Sequence, residues 1–185
     1  MTRDEALQLI EGLDVSPNIL KHLLANEAIM RALAKKFEPE KVEDWGLAGL
    51  MHDADYEFTA KDPDKHPYMV AEKLKSLGVS TEIINAILGH ANYTGVVRDT
   101  QMAKALFAGD NMAGLITACA LVQPNKKLSS VSVESVLKKF KTKGFASGAN
   151  RDEIITCVSE LNIPLDEFAK ICLESMQGIS PELEL

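Results

Sequence analysis

The sequence holds four histidines, His22, His52, His66 and His90, and several acids placed where a carboxylate is costly. On a helix of 3.6 residues per turn, His22 shares its face with Ile19, Asn26, Ile29 and Leu33, which turns the imidazole toward a core. An inward histidine can be satisfied by a backbone carbonyl or can ligate a metal. Asp110 follows Leu106 and Phe107 by one turn and precedes Ala113 and Gly114 by one, so it also lies on an apolar face. A buried ionised carboxylate costs several kcal/mol, roughly, unless a cation or a dense hydrogen-bond network compensates it. A core salt bridge would serve, and so would a metal ion. His52 and Asp53 end the apolar run Leu47-Ala48-Gly49-Leu50-Met51 and deliver two adjacent donors to one place. Together these residues offer nitrogen and oxygen ligands of the kind that suit a divalent transition metal.

The order His22, then His52-Asp53 within Leu-Ala-Gly-Leu-Met-His-Asp, then Asp110 within Ala-Gly-Asp-Asn-Met-Ala-Gly-Leu resembles the HD superfamily of metal-dependent phosphohydrolases. The likeness covers about residues 16 to 122. Val136-Leu-Lys-Lys-Phe-Lys and Phe145-Ala-Ser-Gly-Ala-Asn-Arg151 also resemble a subfamily of uncharacterised hydrolases, which extends it to nearly the whole chain. The resemblance implies an all-α fold and a pair of divalent ions, iron, manganese or another. Asp53 would be the catalytic carboxylate spanning both, with His22, His52 and Asp110 on one ion and His66 and His90 on the other. The face that His90 shares with Ile83, Ala86 and Ile87 points it inward independently.

The implied activity is hydrolysis of a small phosphate ester or anhydride, a nucleotide foremost, by metal-activated water. A regulatory module that keeps metal and nucleotide without turnover, and a di-iron oxygenase with similar ligands, are the alternatives. His52-Asp53-Ala54-Asp55 departs from the His-Asp-Ile-Gly form of many members. There is no Gly-Tyr-Pro signature of cyclic-dinucleotide phosphodiesterases, and the Glu-Asp pair of alarmone hydrolases is absent. Arg98, between His90 and the Asp110 helix, is the candidate for binding substrate phosphate, since a guanidinium grips phosphate bidentately. Pairing with Asp99 or Glu82 on the surface is the plainer use of the same side chain.

These residues must be positioned by helices. Thr2-Arg3-Asp4-Glu5 has capping-box spacing and Ser16-Pro17 offers an N-cap with proline at the first helical position, so helices should start near residues 3 and 17. The second should run to about Phe37, and a third should carry Trp45, Leu47, Leu50 and Met51. Residues 53 to 65 lose apolar periodicity and read as a loop. His66-Pro67 should open a helix stopping at Gly78, Ser80 should cap one ending near His90, and a long helix should span about Asp99 to Leu121. Residues 1 to 124 would form the metal-binding domain, with 125 to 185 a helical extension packed on it.

Composition agrees with this class. Of the 185 residues, 46% are hydrophobic and only 5% aromatic, which favours helices packed by aliphatic side chains. A net charge of −7 offers no footprint for duplex nucleic acid. A phosphate-attracting rim of Lys126, Lys127, Lys138, Lys139, Lys141 and Lys143 is conceivable, although such runs are usually solvated faces. Cys119, Cys157 and Cys172 are widely spaced and expected to be reduced core residues. The chain shows no secretory signal, and the run Leu115 to Val122 is too short to span a bilayer, so a cytoplasmic protein with no membrane partner is expected. No feature fixes the oligomeric state.

Overall fold

The structure, a computed structural model, describes residues 1–59 and 62–185. Among these residues there are eleven α-helical segments and no strand. Helix α1 (Arg3–Gly12) starts at a complete capping box between Thr2 and Glu5, and α2 (Pro17–Phe37) starts at Ser16, whose hydroxyl accepts the Ile19 amide. Helix α3 (Val42–Met51) is buried on every side from Trp45 to Met51, as its uninterrupted apolar sequence requires.

Turns at 52–59 and 63–67 precede α4 (Tyr68–Ser76), and Ser80 caps α5 (Thr81–Gly89). His66 and Pro67 precede α4 rather than forming its first turn, so His66 is held by contacts other than helical ones. Thr100 caps the central helix α6 (Gln101–Leu121).

After α6 come α7 (Val133–Phe140), α8 (Arg151–Ile154), α9 (Thr156–Leu161), α10 (Leu165–Gln177) and α11 (Ser180–Leu183). The apolar pattern over 151–161 is carried by two short helices, with α11 a further short one at the end of the extension. Helices α7, α8 and α9 pack on α6, and α10 packs on both α2 and α6. Their side chains, including Phe168, Cys172 and Met176, join the same buried cluster as Leu23, Leu50 and Leu106. All three cysteines are free and buried, and burial pushes the Cys119 thiol up to about 11 and the Cys157 thiol up to about 12. No thiolate nucleophile is therefore supplied at neutral pH.

Helices α2 and α3 are pressed together where the site lies. A Cβ on Gly49 would stand 2.6 Å from the Asn26 carbonyl oxygen, which is α2 backbone and cannot swing aside. On the other side of α2, a Cβ on Gly109 would meet the Ile29 side chain at 3.2 Å. Away from these contacts, Arg31 of α2 ties into α3 through both oxygens of Glu43, at 2.7 and 2.9 Å.

Gly49→Ala should force α2 and α3 apart and cost about 1–3 kcal/mol or more, as overpacking a close-packed interior does. Gly114 lies on α6 with nothing within 4 Å of an added Cβ. Gly114→Ala should be neutral or stabilising by about 0.5–1 kcal/mol. Urea unfolding of the two variants beside the parent checks both signs, and equal stabilities would contradict the close approach.

Candidate metal centre

Two helix interiors, two helix ends and the stretch between α3 and α4 deliver the donors. His22 comes from the second turn of α2, His52 caps α3, Asp53 follows it, His66 precedes α4, His90 caps α5, and Asp110 lies midway along α6. The Asp53 carboxylate stands at the centre and divides its oxygens. Oδ2 lies 3.7 Å from Nε2 of both His22 and His52, while Oδ1 lies 3.2 Å from Nε2 of both His66 and His90. Asp110 Oδ1 faces the first pair, 2.8 Å from His22 Nε2 and 3.5 Å from His52 Nε2. The donors fall into two groups able to hold a cation, His22–His52–Asp53 and Asp53–His66–His90, with Asp53 common to both.

Three imidazoles are oriented by their other nitrogen. His52 Nδ1 donates to the Gly49 carbonyl at 2.8 Å, His90 Nδ1 to the Ile87 carbonyl, and His66 Nδ1 to Asp55 Oδ1 at 2.6 Å. A proton held at Nδ1 leaves the Nε2 lone pair of the neutral ring aimed at the centre, the arrangement typical of metal-ligating histidines. For His52 the consequence is visible, because its Nε2 is buried and has no hydrogen-bond partner. A cation beside it would satisfy an atom that the protein itself does not, so the donors present fit a divalent metal.

The fourth ring, His22, is steadied by Asn26 one turn on. The Asn26 Nδ2 lies 3.1 Å from the His22 carbonyl oxygen and 3.2 Å from Nε2.

The electrostatics of the centre call for positive charge. Burial pushes the Asp53 carboxyl up, but the neighbouring charge of His52 and hydrogen bonds from His66 and His90 hold it well below the usual carboxylate range. Asp110 is lowered likewise, against its burial, by His22 at hydrogen-bond distance and by the nearby His52 ring. Burial pulls His66 down, yet its hydrogen bonds to Asp53 and Asp55 raise it to about 9, and His90 is raised by Asp53 in the same way. Two carboxylates thus recruit protons onto the imidazoles wherever no other cation is supplied.

Asp110 and His22 are not sealed in a core, as their helical faces alone suggest. Their side chains are 22% and 24% exposed and line an open hollow of about 370 Å³. Arg98 lies against the turn after α5. Its Nη1 donates to the Gly89 carbonyl at 3.1 Å and Asn92 Oδ1 at 3.2 Å, and its guanidinium lies 3.6 Å from the centre of the Phe107 ring. Neither Asp99 nor Glu82 forms an ion pair with it among the described residues, Glu82 being taken by Lys41.

Asp55 is the residue that sequence reasoning passed over. Fully buried, it holds His66 through Oδ1 and accepts the Val70 amide through Oδ2 at 2.9 Å, so it fixes both the ring and the start of α4. The signal was its place two residues after Asp53, where many HD sequences carry glycine.

Asp55→Asn should weaken cation binding at the His66–His90 end by about 10- to 100-fold while sparing the His22–His52 end. Metal titration of the chelator-stripped variant, read by elemental analysis, tests this, and equal loss at both ends would contradict it. Cation binding at that end must also expel the His66 proton. Affinity for Mn²⁺ should therefore climb with pH, by up to about tenfold per unit per proton displaced, and level off above about 9. The metal-free protein should behave oppositely. Protonated His66 stabilises it fully below its ordinary value near 6.5, and that contribution fades as pH rises through about 9. Calorimetric titrations and thermal melts across this range read the two slopes.

Comparison with known proteins agrees with this geometry. Residues 19–106 match the family model described as HD domain. The match includes His22, His52, Asp53, His66 and His90 and stops four residues short of Asp110, which only the packing of α6 brings to the cluster. No curated protein and no solved structure matches the chain significantly. Residues 19–106 thus match the HD domain, a metal-dependent, hydrolase-type family, and two histidine and aspartate groups there are arranged as a metal-binding site.

Proposed function

We propose that this protein is a phosphohydrolase that cleaves a small phosphate ester or anhydride, with nucleotides the foremost substrate class. The observation that carries the reading is the divided carboxylate of Asp53, one oxygen facing His22 and His52 and the other facing His66 and His90. In this reading His22, His52 and Asp110 hold one divalent ion, His66 and His90 hold a second, and Asp53 is shared. When bound, such a pair supplies Lewis-acid chemistry, lowering the pKa of a water and neutralising charge on phosphate oxygens.

The chain's own groups do the rest. His52, His66 and His90 cannot rotate without losing the bonds at Nδ1, so the donor set is preorganised. Asp53 and Asp110, held ionised, attract cations, and an arriving cation displaces the protons these carboxylates otherwise draw onto the rings. Arg98 enters through position rather than phosphate contact: tied to Gly89 and Asn92, it braces the segment on which His90 sits. The hollow beside His22 and Asp110 gives a small substrate access to one end of the cluster.

Purified protein should hydrolyse at least one member of a panel of nucleotides and phosphate esters, lose that activity to a chelator, and regain it with Mn²⁺, Fe²⁺ or another divalent ion. His52→Ala and Asp110→Ala should lose most metal and nearly all turnover. His66→Ala and His90→Ala should each lose about half the metal and most of the rate, because one of two activating charges is gone. Chelator-insensitive turnover would overturn the reading, and oxygen consumption during the same assays would replace it with an oxygenase. Full metal content and rate in both the His66 and His90 variants would remove the second ion.

A further inference from the structure

The segment Phe145-Ala-Ser-Gly-Ala-Asn-Arg151 is built around its own arginine. The Arg151 guanidinium donates to the carbonyls of Ala146 and Ala149, both at 2.6 Å, and to that of Phe145, while its Nε reaches the Phe140 carbonyl at 3.4 Å. No carboxylate pairs with Arg151 among the described residues. One fixed positive charge therefore gathers the oxygen ends of three peptide units of a single loop.

In a planar trans peptide the N–H points opposite to the C=O. The units whose carbonyls face Arg151 must therefore aim the amides of Ala146, Ser147 and Asn150 the other way. The Asn150 amide donates at 2.8 Å to Oδ1 of Asn111, the residue beside Asp110. Among the described residues the amides of Ala146 and Ser147 meet no acceptor, and Ala146 and Gly148 line the hollow that His22, Asp110 and Asn111 also line. Ala146 is in the left-handed region at φ 44°, a backbone turn of the kind found in loops whose amides bind anions.

The wall is fixed in place by Glu153. Its Oε1 accepts from Asn92 and Asn150 and its Oε2 from Asn111, each at 2.8 Å, joining this loop to α6 and to the turn after His90. Its carboxylate is thereby occupied by amide donors.

We infer that the Phe145–Ala149 loop is the anion-binding wall of the metal centre, its Ala146 and Ser147 amides receiving the phosphate group of substrate and then of product. This rests on the proposed function to one extent: Asp53 and Asp110 would repel a phosphate unless cations neutralise them. The C-terminal extension then has a specific task, supplying donors that lie beyond the matched HD segment.

Gly148 makes the test specific. It has an ordinary φ, and an added Cβ meets nothing within 4 Å, so side chains are tolerated there. Gly148→Asn and Gly148→Asp are equal in size and differ by one negative charge. With full-length protein loaded with Zn²⁺ and inorganic phosphate as probe, the Asp variant should bind phosphate about tenfold or more weakly than the Asn variant, with equal zinc content in both. In ¹⁵N-labelled parent protein the Ala146 and Ser147 amide resonances should move on phosphate addition and saturate with the calorimetric constant. Equal phosphate affinity in the two variants, phosphate binding that leaves those amides unmoved, or no phosphate binding by the parent would overturn the inference. Phosphate held at these amides by a protein that hydrolyses no ester would leave the wall standing and remove the hydrolase reading. Turnover with the amides unmoved would do the reverse.

Discussion

Everything at the metal centre depends on how closely α2 can lie against α3. The two helices bring His22 and His52 to the same oxygen of Asp53, and at the crossing the Asn26 carbonyl occupies the space a side chain at residue 49 would need. Gly49 also supplies the carbonyl that accepts His52 Nδ1. A single residue thus sets the spacing of the helices and the tilt of a ring. That coupling is expected of a close-packed interior, where a shift of one helix is felt by every group it carries.

Around that contact the structure concentrates negative charge and then manages it. Two carboxylates within reach of four imidazoles raise His66 and His90 and are themselves held ionised. Such a site is electrostatically costly for a protein that only needs a stable core, because apolar residues would fill the same volume with no desolvation penalty. Asp55 adds a further buried acid whose two oxygens are both used, one on a ring and one on a helix start. The arrangement makes sense as preorganisation for a cation, with the cost met by packing elsewhere.

The same logic extends outward to the loop after α7. Arg151 and Glu153 hold opposite sides of one short segment, the first by its carbonyls and the second by asparagine amides. A loop without regular structure is normally free to move, yet here its backbone polar groups are tied down on one side and left available on the other. The asymmetry gives the C-terminal third a chemical relation to the centre as well as a packing relation through α10.

The sequence by itself determined the all-α class, the starts of α1, α2 and α5, and the candidacy of His22, His52, Asp53, His66, His90 and Asp110, because caps and helical faces are local properties of a chain. Family resemblance then divided those residues between two expected ions, and the structure places His22 and His52 at one oxygen of Asp53 and His66 and His90 at the other. The sequence could not show that His66 stands ahead of α4 and is fixed by Asp55, since that bond joins two points of an irregular stretch whose path follows no period. Nor could it decide the use of Arg98. A guanidinium suits phosphate, carboxylate, carbonyl or aromatic partners equally well, and only the fold sets the Gly89 carbonyl and the Phe107 ring beside it. The long-range joins, Asn111 to Asn150 and Glu153 to Asn92, belong wholly to tertiary structure. A side-chain hydrogen bond across tens of residues leaves no periodic trace, so the wall beside the metal centre became visible only when the helices were in place.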